Sequence, residues 1–493
     1  KRMTKIPILT KSKYLISLQC PKLLWITFDH PGKIPPVDAA AQFIFDQGRE
    51  VGNLAKKLYP GGIDIPYNGF EENLGQTRKL LELRRPLFEA GILAGNLYAR
   101  VDILNPVNAD AWDIIEVKSS TKVKDEHIPD AAFQKYCCMK NGISIRKCFL
   151  MHINNGYERE EGLNVTELFR LEDISDRVEG IVSSITAKVG EAFKVIKSKE
   201  CPQTPIGEHC LRPYECPLRE QCWSFLPPRN VFGLCRSGMK KKFELFARGI
   251  HAIADIPDHV ELNEKQRIQK NCAADDRPHV SKGDIRAFLD SLEYPLYYLD
   301  FETFGPAVPP FDGTRPFQQI PFQFSLHVVP KEGAEAWHHS FLADGGNDPR
   351  PLFLVSLKKV IGTQGNVIVY NAAFEKGVLG ELAKVFPEEE EWIDNVLRRI
   401  KDLLAPFRSF HYYHPDQNGS ASLKCVLPAL TGKGYEEMEI SEGGEASRIF
   451  VERVFHSAPD DVRMQARQNL EDYCRLDTRA MIDIVGRLKE LIA

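Results

Sequence analysis

Acidic residues occupy positions in the second half of the chain where apolar residues are expected. In "PLYYLDFETFG", residues 295–305, Asp300 and Glu302 interrupt an otherwise apolar, strand-like run. Side chains two residues apart on a strand share a face, so these carboxylates point the same way, about 7 Å apart along the strand. Because buried like charges are costly unless a positive charge lies between them, the pair predicts a bound cation.

Two further acids extend this set. Glu375 follows the strand-like "NVIVY" in the first turns of a helix, and Asp477 lies on the apolar stripe of the last helix, with Tyr473 one turn before it. Four acids on these elements can converge on two divalent ions, which would clamp a scissile phosphate between an activated water and the leaving oxygen. Oxygen ligands and phosphate favour Mg²⁺ or Mn²⁺. The Tyr473 hydroxyl would orient the attacking water.

Over roughly residues 290–493, the order and spacing of these segments resemble the motifs of ribonuclease-H-like 3′→5′ exonucleases. The motifs are Asp-x-Glu on a first strand, Asn-x-x-Phe-acid in "NAAFE", and Tyr-x-x-x-Asp on a C-terminal helix. They are typical of the tyrosine subtype of the proofreading-exonuclease superfamily. The resemblance implies catalytic roles for Asp300, Glu302, Glu375, Tyr473 and Asp477, metal ligation by Asp300, Glu302 and Asp477, and substrate contact by Asn371. Glu375 departs from the family, which usually has Asp there.

A proline-rich loop, residues 304–319, follows the first acidic strand. Its aromatic and arginine residues suit stacking against terminal bases: Phe304, Phe311, Arg315 and Phe317. Packing of this loop on its own domain is the alternative. Four other features have an ordinary structural explanation beside a functional one: Asp402, Ser422, Lys424 and the basic run Arg236, Lys240, Lys241 and Lys242.

The other dense signal is "ARVDILNPVNADAWDIIEVKSS". Asp102 lies in one predicted strand. After a hairpin, Glu116 and Lys118 share one face of the next strand. Such a set can hold one or two Mg²⁺ ions, with the lysine positioning the water or stabilising charge on the phosphate. A surface strand with an ordinary Glu–Lys pair is the alternative.

This segment resembles the PD-(D/E)XK nuclease core, which implies catalytic roles for Asp102, Glu116 and Lys118 and metal ligation by the two acids. Downstream, Gln134 and Tyr136 in "DAAFQKY" resemble the Gln/Tyr helix motif of the RecB-like branch, with its usual spacing broken, and would contact substrate. The upstream histidine of that branch is missing, and Glu50 lies roughly where it belongs.

Cysteines bracket this core. Cys210, Cys216 and Cys222 are evenly spaced, and Cys20 stands alone near the start. In a reducing compartment such a set suggests a metal or an iron–sulfur cluster before disulfides. The arrangement resembles the iron–sulfur RecB-like nucleases, including CRISPR-associated adaptation nucleases and helicase–nuclease subunits, in which a [4Fe–4S] cluster joins the chain ends. Zinc and free thiols remain alternatives, and Cys201 is an alternative ligand. The other cysteines are expected to be small buried residues: Cys137, Cys138, Cys148, Cys235, Cys272, Cys425 and Cys474.

The elements that must position these residues predict an α/β protein. We expect helices at 40–59, 75–90, 130–140, 173–196 and 465–491, and strands at 96–104, 111–120, 146–154, 295–303, 320–329 and 366–370. A chain of 493 residues is too long for one core. We therefore expect a PD-(D/E)XK, restriction-endonuclease-like domain with the cluster at 1–225, a helical linker subdomain at 226–290, and a ribonuclease-H-like domain with a mixed sheet flanked by helices at 291–493.

Bulk composition limits the partners. Net charge is −4, so nucleic-acid binding must come from local basic patches and metal ions. No apolar run reaches the roughly 18–20 residues that span a bilayer, and we expect a cytoplasmic protein.

The paired domains resemble a bacterial family of unknown function and imply a nuclease acting on DNA single strands or ends, in repair or defence. An RNA-processing exonuclease and a nucleic-acid-binding protein with one decayed centre are the alternatives.

Overall fold

The computed structural model describes residues 7–435, 438–440, 442–456 and 458–493. It is a mixed α/β structure with several sheets and many helices, which confirms the predicted class at that level. The chain forms two compact units. Unit 1 contains the chain up to Ser224 and the segment Pro306–Phe317, and unit 2 contains Phe225–Gly305 and Gln318–Ala493.

The sheet of unit 1 is built from β1 (Leu9–Thr10), β2 (Ile63–Asp64), β3 (Leu87–Ala94), β4 (Leu97–Pro106), β5 (Ala111–Lys118), β6 (Ser144–Ile153) and β7 (Phe169–Asp173). Strands β2 to β7 lie in sequence order, and β1 pairs in parallel with the first part of β4. The β3–β4–β5 segment is an antiparallel meander, whereas β5 and β6 are parallel. Parallel neighbours need a crossover, and a helix supplies it.

The helices of unit 1 are α1 (Lys11–Gln19), α2 (Pro21–Asp29), α3 (Ala39–Lys56), α4 (Phe70–Leu81), α5 (His127–Lys140), α6 (Val165–Leu168), α7 (Ser175–Val182), α8 (Ile185–Lys197) and α9 (Arg219–Trp223). The crossover is α5, whose apolar residues Ile128 and Phe133 are buried against sheet residues such as Ile114 and Leu150. On the same helix, Asp130 and Gln134 contact Lys118 and Glu116 near the end of β5.

The sheet strands of unit 2 are β8 (His279–Val280), β9 (Leu296–Phe304), β10 (Ile320–Val329), β11 (Trp337–Leu342), β12 (Asn366–Val369), β13 (Ile400–Asp402) and β14 (Tyr412–Tyr413). The main sheet has the order β11-β10-β9-β12-β13, with β9 in the centre, and β8 and β14 form a separate pair. Strands β9 and β10 are antiparallel, whereas β12 is parallel to β9 and β13.

The helices of unit 2 are α10 (Met239–Ala247), α11 (Glu264–Asp275), α12 (Lys282–Asp290), α13 (Arg350–Val360), α14 (Ala372–Val385), α15 (Glu390–Arg399), α16 (Ala405–Arg408), α17 (Leu423–Thr431), α18 (Gly443–Ile449) and α19 (Asp460–Ile492). The segment 226–290, predicted as a linker subdomain, contributes α10 to α12 and belongs to this unit.

Alternation along β9 sends its side chains to two different cores. Leu299 and Phe301 pack in the cluster that contains residues of α13, α14 and α15. Leu296 and Tyr298 pack on the opposite face, against Met481 of α19. Asp300 and Glu302 share the face of Leu296 and Tyr298, which is the face that α19 covers.

Two helix predictions need correction. The segment 75–90 is helical only as far as Leu81, and β3 begins at Leu87, after Pro86. The segment 173–196 is two helices, because the chain turns at the Ser183–Ser184 pair. There the Ser184 hydroxyl donates to the carbonyl of Ile181, 2.7 Å away.

Within the described ranges, no helix is both long enough and apolar enough to span a membrane.

Candidate functional site

The acidic centre of unit 2 consists of Asp300, Glu302, Glu375 and Asp477. Asp300, Glu302 and Asp477 each place a carboxylate oxygen within 4.8 Å of the other two. Oxygen ligands around a single Mg²⁺, at about 2.1 Å from the ion, lie up to about 4.2 Å apart. The 4.8 Å bound is slightly wider than this limit, so at most a small movement of the side chains would let one divalent ion contact all three acids.

Glu375 approaches the centre from the first turn of α14. Its side chain is 1% exposed, and among the described residues its Oε2 has no hydrogen-bond partner. Burial, and then the charge of Asp300, raises the pKa of Glu375 to about 9. A buried carboxylate oxygen without a partner is costly, so it marks a position that a cation would satisfy.

The pKa values of the other three acids are also raised. Burial raises the pKa of Asp300 well above its usual range, and the nearby charge of Asp477 adds to this effect. Burial and the charges of Asp300 and Asp477 do the same to Glu302. The pKa of Asp477 rises only to about 6, because burial is opposed by hydrogen bonds from two tyrosines and by Lys424.

Two tyrosines and a lysine line the Asp477 side of the centre. Tyr435 and Tyr473 both donate hydrogen bonds to Asp477. The Lys424 ammonium lies 5.3 Å from the ring centroid of Tyr473 and 5.8 Å from that of Tyr435. On the other side, the Cys474 thiol donates to Asp300 Oδ2 at 3.4 Å.

The structure brings together the acids and tyrosine predicted for this centre, whereas it buries one predicted substrate residue, Phe304. Phe304 is 2% exposed, and its ring packs on Phe322, Phe450 and Phe455, so it offers no open face to a base. Asn371 adopts a left-handed conformation (φ 84°) where β12 leads into α14.

Asn371 is tied to its neighbours by hydrogen bonds. Its N–H donates to Asp402 at 3.0 Å, and its Oδ1 accepts from Arg408 at 3.2 Å. Asp402 also accepts from the N–H of Leu404, at 3.0 Å, which matches the ordinary structural explanation for this acid. These contacts fix the strand-to-helix turn that aims Glu375.

The loop that follows β9 is irregular, as predicted, but most of it packs within unit 1. Arg159 Nη1 donates to the carbonyls of Pro309 and Pro310, at 3.1 and 2.7 Å, and Arg159 Nε pairs with Asp312 at 3.0 Å. Ala307 is buried in a cluster of unit 1. The predicted alternative, packing on the 291–493 domain, is therefore wrong for Pro306–Phe317, which packs in unit 1.

The second candidate centre is an ion cluster in unit 1, formed by Lys11, Glu116, Lys118, Asp130 and Gln134. Lys118 Nζ donates to Glu116 at 2.6 Å and to Asp130 at 2.8 Å. Lys11 Nζ bridges the same two acids, at 3.1 and 3.0 Å. Gln134 Nε2 donates to Glu116 at 2.5 Å and to Asp130 at 2.9 Å.

The acids of this cluster differ in their ionisation. Burial raises the pKa of Glu116 to about 7, with contributions from the charges of Asp102 and Asp130, against the two lysines. Burial would also raise the pKa of Asp130, but the two lysines outweigh it and lower that pKa below its usual range. Asp102 lies nearby on β4, where its Oδ2 accepts the N–H of Val117 at 2.8 Å.

Sequence reasoning found three residues of this cluster and missed two. Lys11 and Asp130 were not predicted. Asp130 lies one turn before Gln134 on α5, a spacing that could have found it, whereas nothing near Lys11 in the sequence points to Glu116. Glu50 is exposed on α3, and Tyr136 pairs its hydroxyl with Thr186 at 3.0 Å, so neither joins the described cluster.

The predicted cysteine ligands converge. Cys20 and Cys216 are buried in one cluster, with Cys201 and Cys222 packed against it, and Cys20, Cys210, Cys216 and Cys222 lie within electrostatic range of one another. Gln19 Nε2 donates to the carbonyls of His209 and Tyr214, at 2.9 and 2.7 Å. These bonds hold the N-terminal helices against the cysteine-rich segment.

The separation of the cysteine sulfurs can be compared with that of a zinc site. Among the residues that the structure describes, no three cysteine sulfurs lie within 4.8 Å of one another. Four thiolates on one zinc, with bonds of about 2.3 Å, would lie roughly 3.8 Å apart.

Comparisons with known proteins name no activity. A family model described as a domain of unknown function, DUF2779, matches residues 297–422. The Uncharacterized protein MG366 homolog of Mycoplasma pneumoniae is 25% identical over 241 residues, which is 45% of this chain and 36% of that protein. The Uncharacterized protein MG366 of Mycoplasma genitalium is 28% identical over 222 residues, 41% of this chain and 33% of that protein.

The chain thus spans about a third of the length of the curated relatives that it matches. Among solved structures, the crystal structure of SSO0001 matches with 12% sequence identity, covering 41% of this chain and 90% of that one, at a TM-score of 0.17. At that TM-score the likeness carries no argument about this protein.

Proposed function

We propose that this protein is a metal-dependent nuclease that hydrolyses phosphodiester bonds of DNA, in single strands or at ends. The acidic centre of unit 2 would be its active site. The observation that carries the proposal is the convergence of Asp300, Glu302 and Asp477 within 4.8 Å, beside the unpartnered oxygen of Glu375. Unit 2 would then be a ribonuclease-H-like 3′→5′ exonuclease of the tyrosine subtype, a conclusion that its three motifs also support.

The acidic centre fits Mg²⁺ or Mn²⁺ on its own chemistry. Its donors are carboxylate oxygens, and the ion would relieve the mutual repulsion that raises their pKa values. When bound, divalent ions supply activation of the attacking water and stabilisation of the leaving oxygen. Asp300, Glu302 and Asp477 would hold them, and Glu375 would complete the set.

The chain's own residues would act on the water and the phosphate. The Tyr473 hydroxyl, which is hydrogen-bonded to Asp477, would orient the attacking water. Lys424 supplies a positive charge next to three acids of the centre, which would lower the repulsion that an incoming phosphate meets.

For unit 1 we propose a RecB-like PD-(D/E)XK domain that carries a [4Fe–4S] cluster on Cys20, Cys210, Cys216 and Cys222. The convergence of these cysteines from both ends of the unit supports this assignment. A protein purified without oxygen should be brown and contain iron and sulfide. A colourless protein with zinc would overturn the assignment.

A second candidate function for unit 1 is nucleic-acid binding without cleavage. The specific observation that favours it is that the oxygens of Glu116 already accept hydrogen bonds from two lysines and Gln134. Unit 1 would then hold a strand while unit 2 cleaves it.

The decisive experiment is degradation of end-labelled DNA and RNA of the same sequence with Mg²⁺ or Mn²⁺. Asp300→Asn and Asp477→Asn test the acidic centre, and Glu116→Gln tests the unit 1 cluster. Asp472→Asn is the matched control, since Asp472 is an exposed acid on the same helix as Asp477.

We expect Asp300→Asn and Asp477→Asn to abolish stepwise shortening and Asp472→Asn to leave it unchanged. Degradation of RNA in preference to DNA would select the RNA-processing alternative. If the double variant Glu116→Ala plus Asp300→Ala cuts as fast as the wild type, both site assignments are wrong.

A further inference from the structure

The unit 1 ion cluster contains one more cation than its motif requires. Lys118 belongs to the Glu-x-Lys motif, but Lys11 comes from the first residue of α1, more than 100 positions away in the chain. Its ammonium lies between Glu116 and Asp130, at 3.1 and 3.0 Å. Lys11 therefore occupies the space between two acids where a divalent ion would be expected.

The hydrogen bonds of Glu116 leave little room for another ligand. Its Oε1 accepts from Lys118 at 2.6 Å and from Lys11 at 3.1 Å. Its Oε2 accepts from Gln134 at 2.5 Å and from Lys11 at 3.3 Å. A carboxylate has about four lone-pair positions, so Glu116 does not fit a metal ion while all these donors remain.

The net charge of the unit 1 ion cluster also indicates that Lys11 takes the place of a metal ion. When all three acids are ionised, Asp102, Glu116 and Asp130 carry three negative charges, and the two lysines reduce the sum to −1. Without Lys11 the sum is −2, which matches one Mg²⁺ or Mn²⁺ ion. The cluster is thus complementary to a divalent ion only when the Lys11 ammonium is elsewhere.

Lys11 is better placed to leave than Lys118. All its contacts with the two acids are longer than those of Lys118, which run from 2.6 to 2.8 Å. Lys118 is on β5, two residues from Glu116 in the central part of the sheet, whereas Lys11 is the first residue of a short helix. Gln19, at the far end of α1, is bonded to the cysteine-rich segment, so the helix can stay in place while the side chain moves.

We propose that Lys11 closes the unit 1 centre by occupying the cation position between Glu116 and Asp130, and that a divalent ion binds there only when Lys11 withdraws. The inference rests on the proposed function of unit 1 as a metal centre. It assigns Lys11 the role of an internal competitor for the ion.

The test measures Mn²⁺ binding directly, by calorimetry and by electron paramagnetic resonance, on the full chain carrying Asp300→Asn and Asp477→Asn. Lys11→Met and Lys11→Gln are compared with this parent, and Glu116→Gln identifies the binding that belongs to unit 1. Lys13→Met is the matched control, because Lys13 is on the same helix but lies 4.3 Å over the ring of Phe28. Melting temperatures establish that each variant is folded.

We expect Lys11→Met to tighten the Glu116-dependent Mn²⁺ binding by about tenfold or more. Tenfold corresponds to about 1.4 kcal/mol, near the lower end of what a hydrogen bond to a charged group contributes. Lys11→Gln removes the charge but retains one donor and should tighten binding less. Lys13→Met should change nothing.

Unchanged or weaker Mn²⁺ binding in both Lys11 variants would overturn the inference. Tighter binding without Glu116-dependent cleavage would support the competitor role and refute nuclease activity in unit 1. Glu116-dependent cleavage together with unchanged Mn²⁺ binding in the Lys11 variants would support nuclease activity in unit 1 and refute the competitor role of Lys11.

Discussion

Glu375→Gln is the most informative substitution in the acidic centre, because it keeps the shape of the side chain and removes only its titration. The pKa of Glu375 is raised from an ordinary 4.5 to about 9. A carboxyl whose pKa is raised by folding contributes stability that is complete at low pH and is lost as the pH rises. Metal-free wild-type protein should therefore lose stability between pH 5 and pH 8.

The size of the effect follows from the shift. Each pH unit between the ordinary pKa and the working pH lowers the free energy of unfolding by about 1.36 kcal/mol. At pH 8 this amounts to about 3–5 kcal/mol for Glu375, and at pH 5 to less than about 1 kcal/mol. Glutamine does not titrate, so the variant escapes this penalty and should be the more stable protein at pH 8.

The assay is thermal unfolding of unit 2 in the presence of a chelator, at pH 5 and pH 8. For a unit of this size, about 1 kcal/mol shifts the melting temperature by roughly 2–4 °C, so we expect Glu375→Gln to melt roughly 10 °C above the wild type at pH 8. Adding Mn²⁺ should stabilise the wild type more than the variant, because the ion relieves the same charge.

The matched control is Glu381→Gln, on the same helix, where Glu381 is partly exposed and pairs with Lys384. Its effect should stay below about 0.5 kcal/mol at either pH. Glu375→Gln could instead lose as much stability between pH 5 and pH 8 as the wild type does. In that case the Glu375 carboxylate is not the source of the pH-dependent loss, and the prediction is wrong.

Three further outcomes are expected. Tyr473→Phe should slow cleavage about 100-fold, as expected for a group that orients a proton transfer, with the melting temperature within about 2 °C of wild type; an unchanged rate would remove the tyrosine from the mechanism. Cys216→Ser should lower the iron and sulfide content of anaerobically purified protein, whereas Cys425→Ser should not; equal contents would contradict the ligand assignment. Gly365→Ala should destabilise unit 2 by about 3 kcal/mol or more, because Gly365 has φ +80° and an added Cβ would lie 2.0 Å from a backbone oxygen, whereas Gly377→Ala, in open space, should not.

Much of the secondary structure followed from local pattern. The hairpin of β4 and β5, the central strand β9 and the last helix α19 have strong apolar periodicity, and the structure contains each of them near the predicted residues. The segment 75–90 was predicted wrongly because its first half is helical and its second half is the strand β3. Apolar spacing in a window that crosses both cannot separate them.

For the two centres, the sequence by itself determined which acids share a face. Asp300 and Glu302 on one strand, and Tyr473 and Asp477 one helical turn apart, are fixed by the repeat of the strand and the helix. The same holds for Glu116 and Lys118. These pairs needed no knowledge of the fold.

Only the tertiary structure decided which residues from other elements contact the side chains on those faces. Packing of α19 across β9 brings Asp477 to Asp300, and the arrival of α1 and α5 at the end of β5 adds Lys11 and Asp130 to Glu116. Packing also buried Phe304, which its place in an aromatic loop had suggested for substrate. The physical reason is that periodicity fixes the direction of a side chain, whereas its partners depend on contacts between elements far apart in the chain.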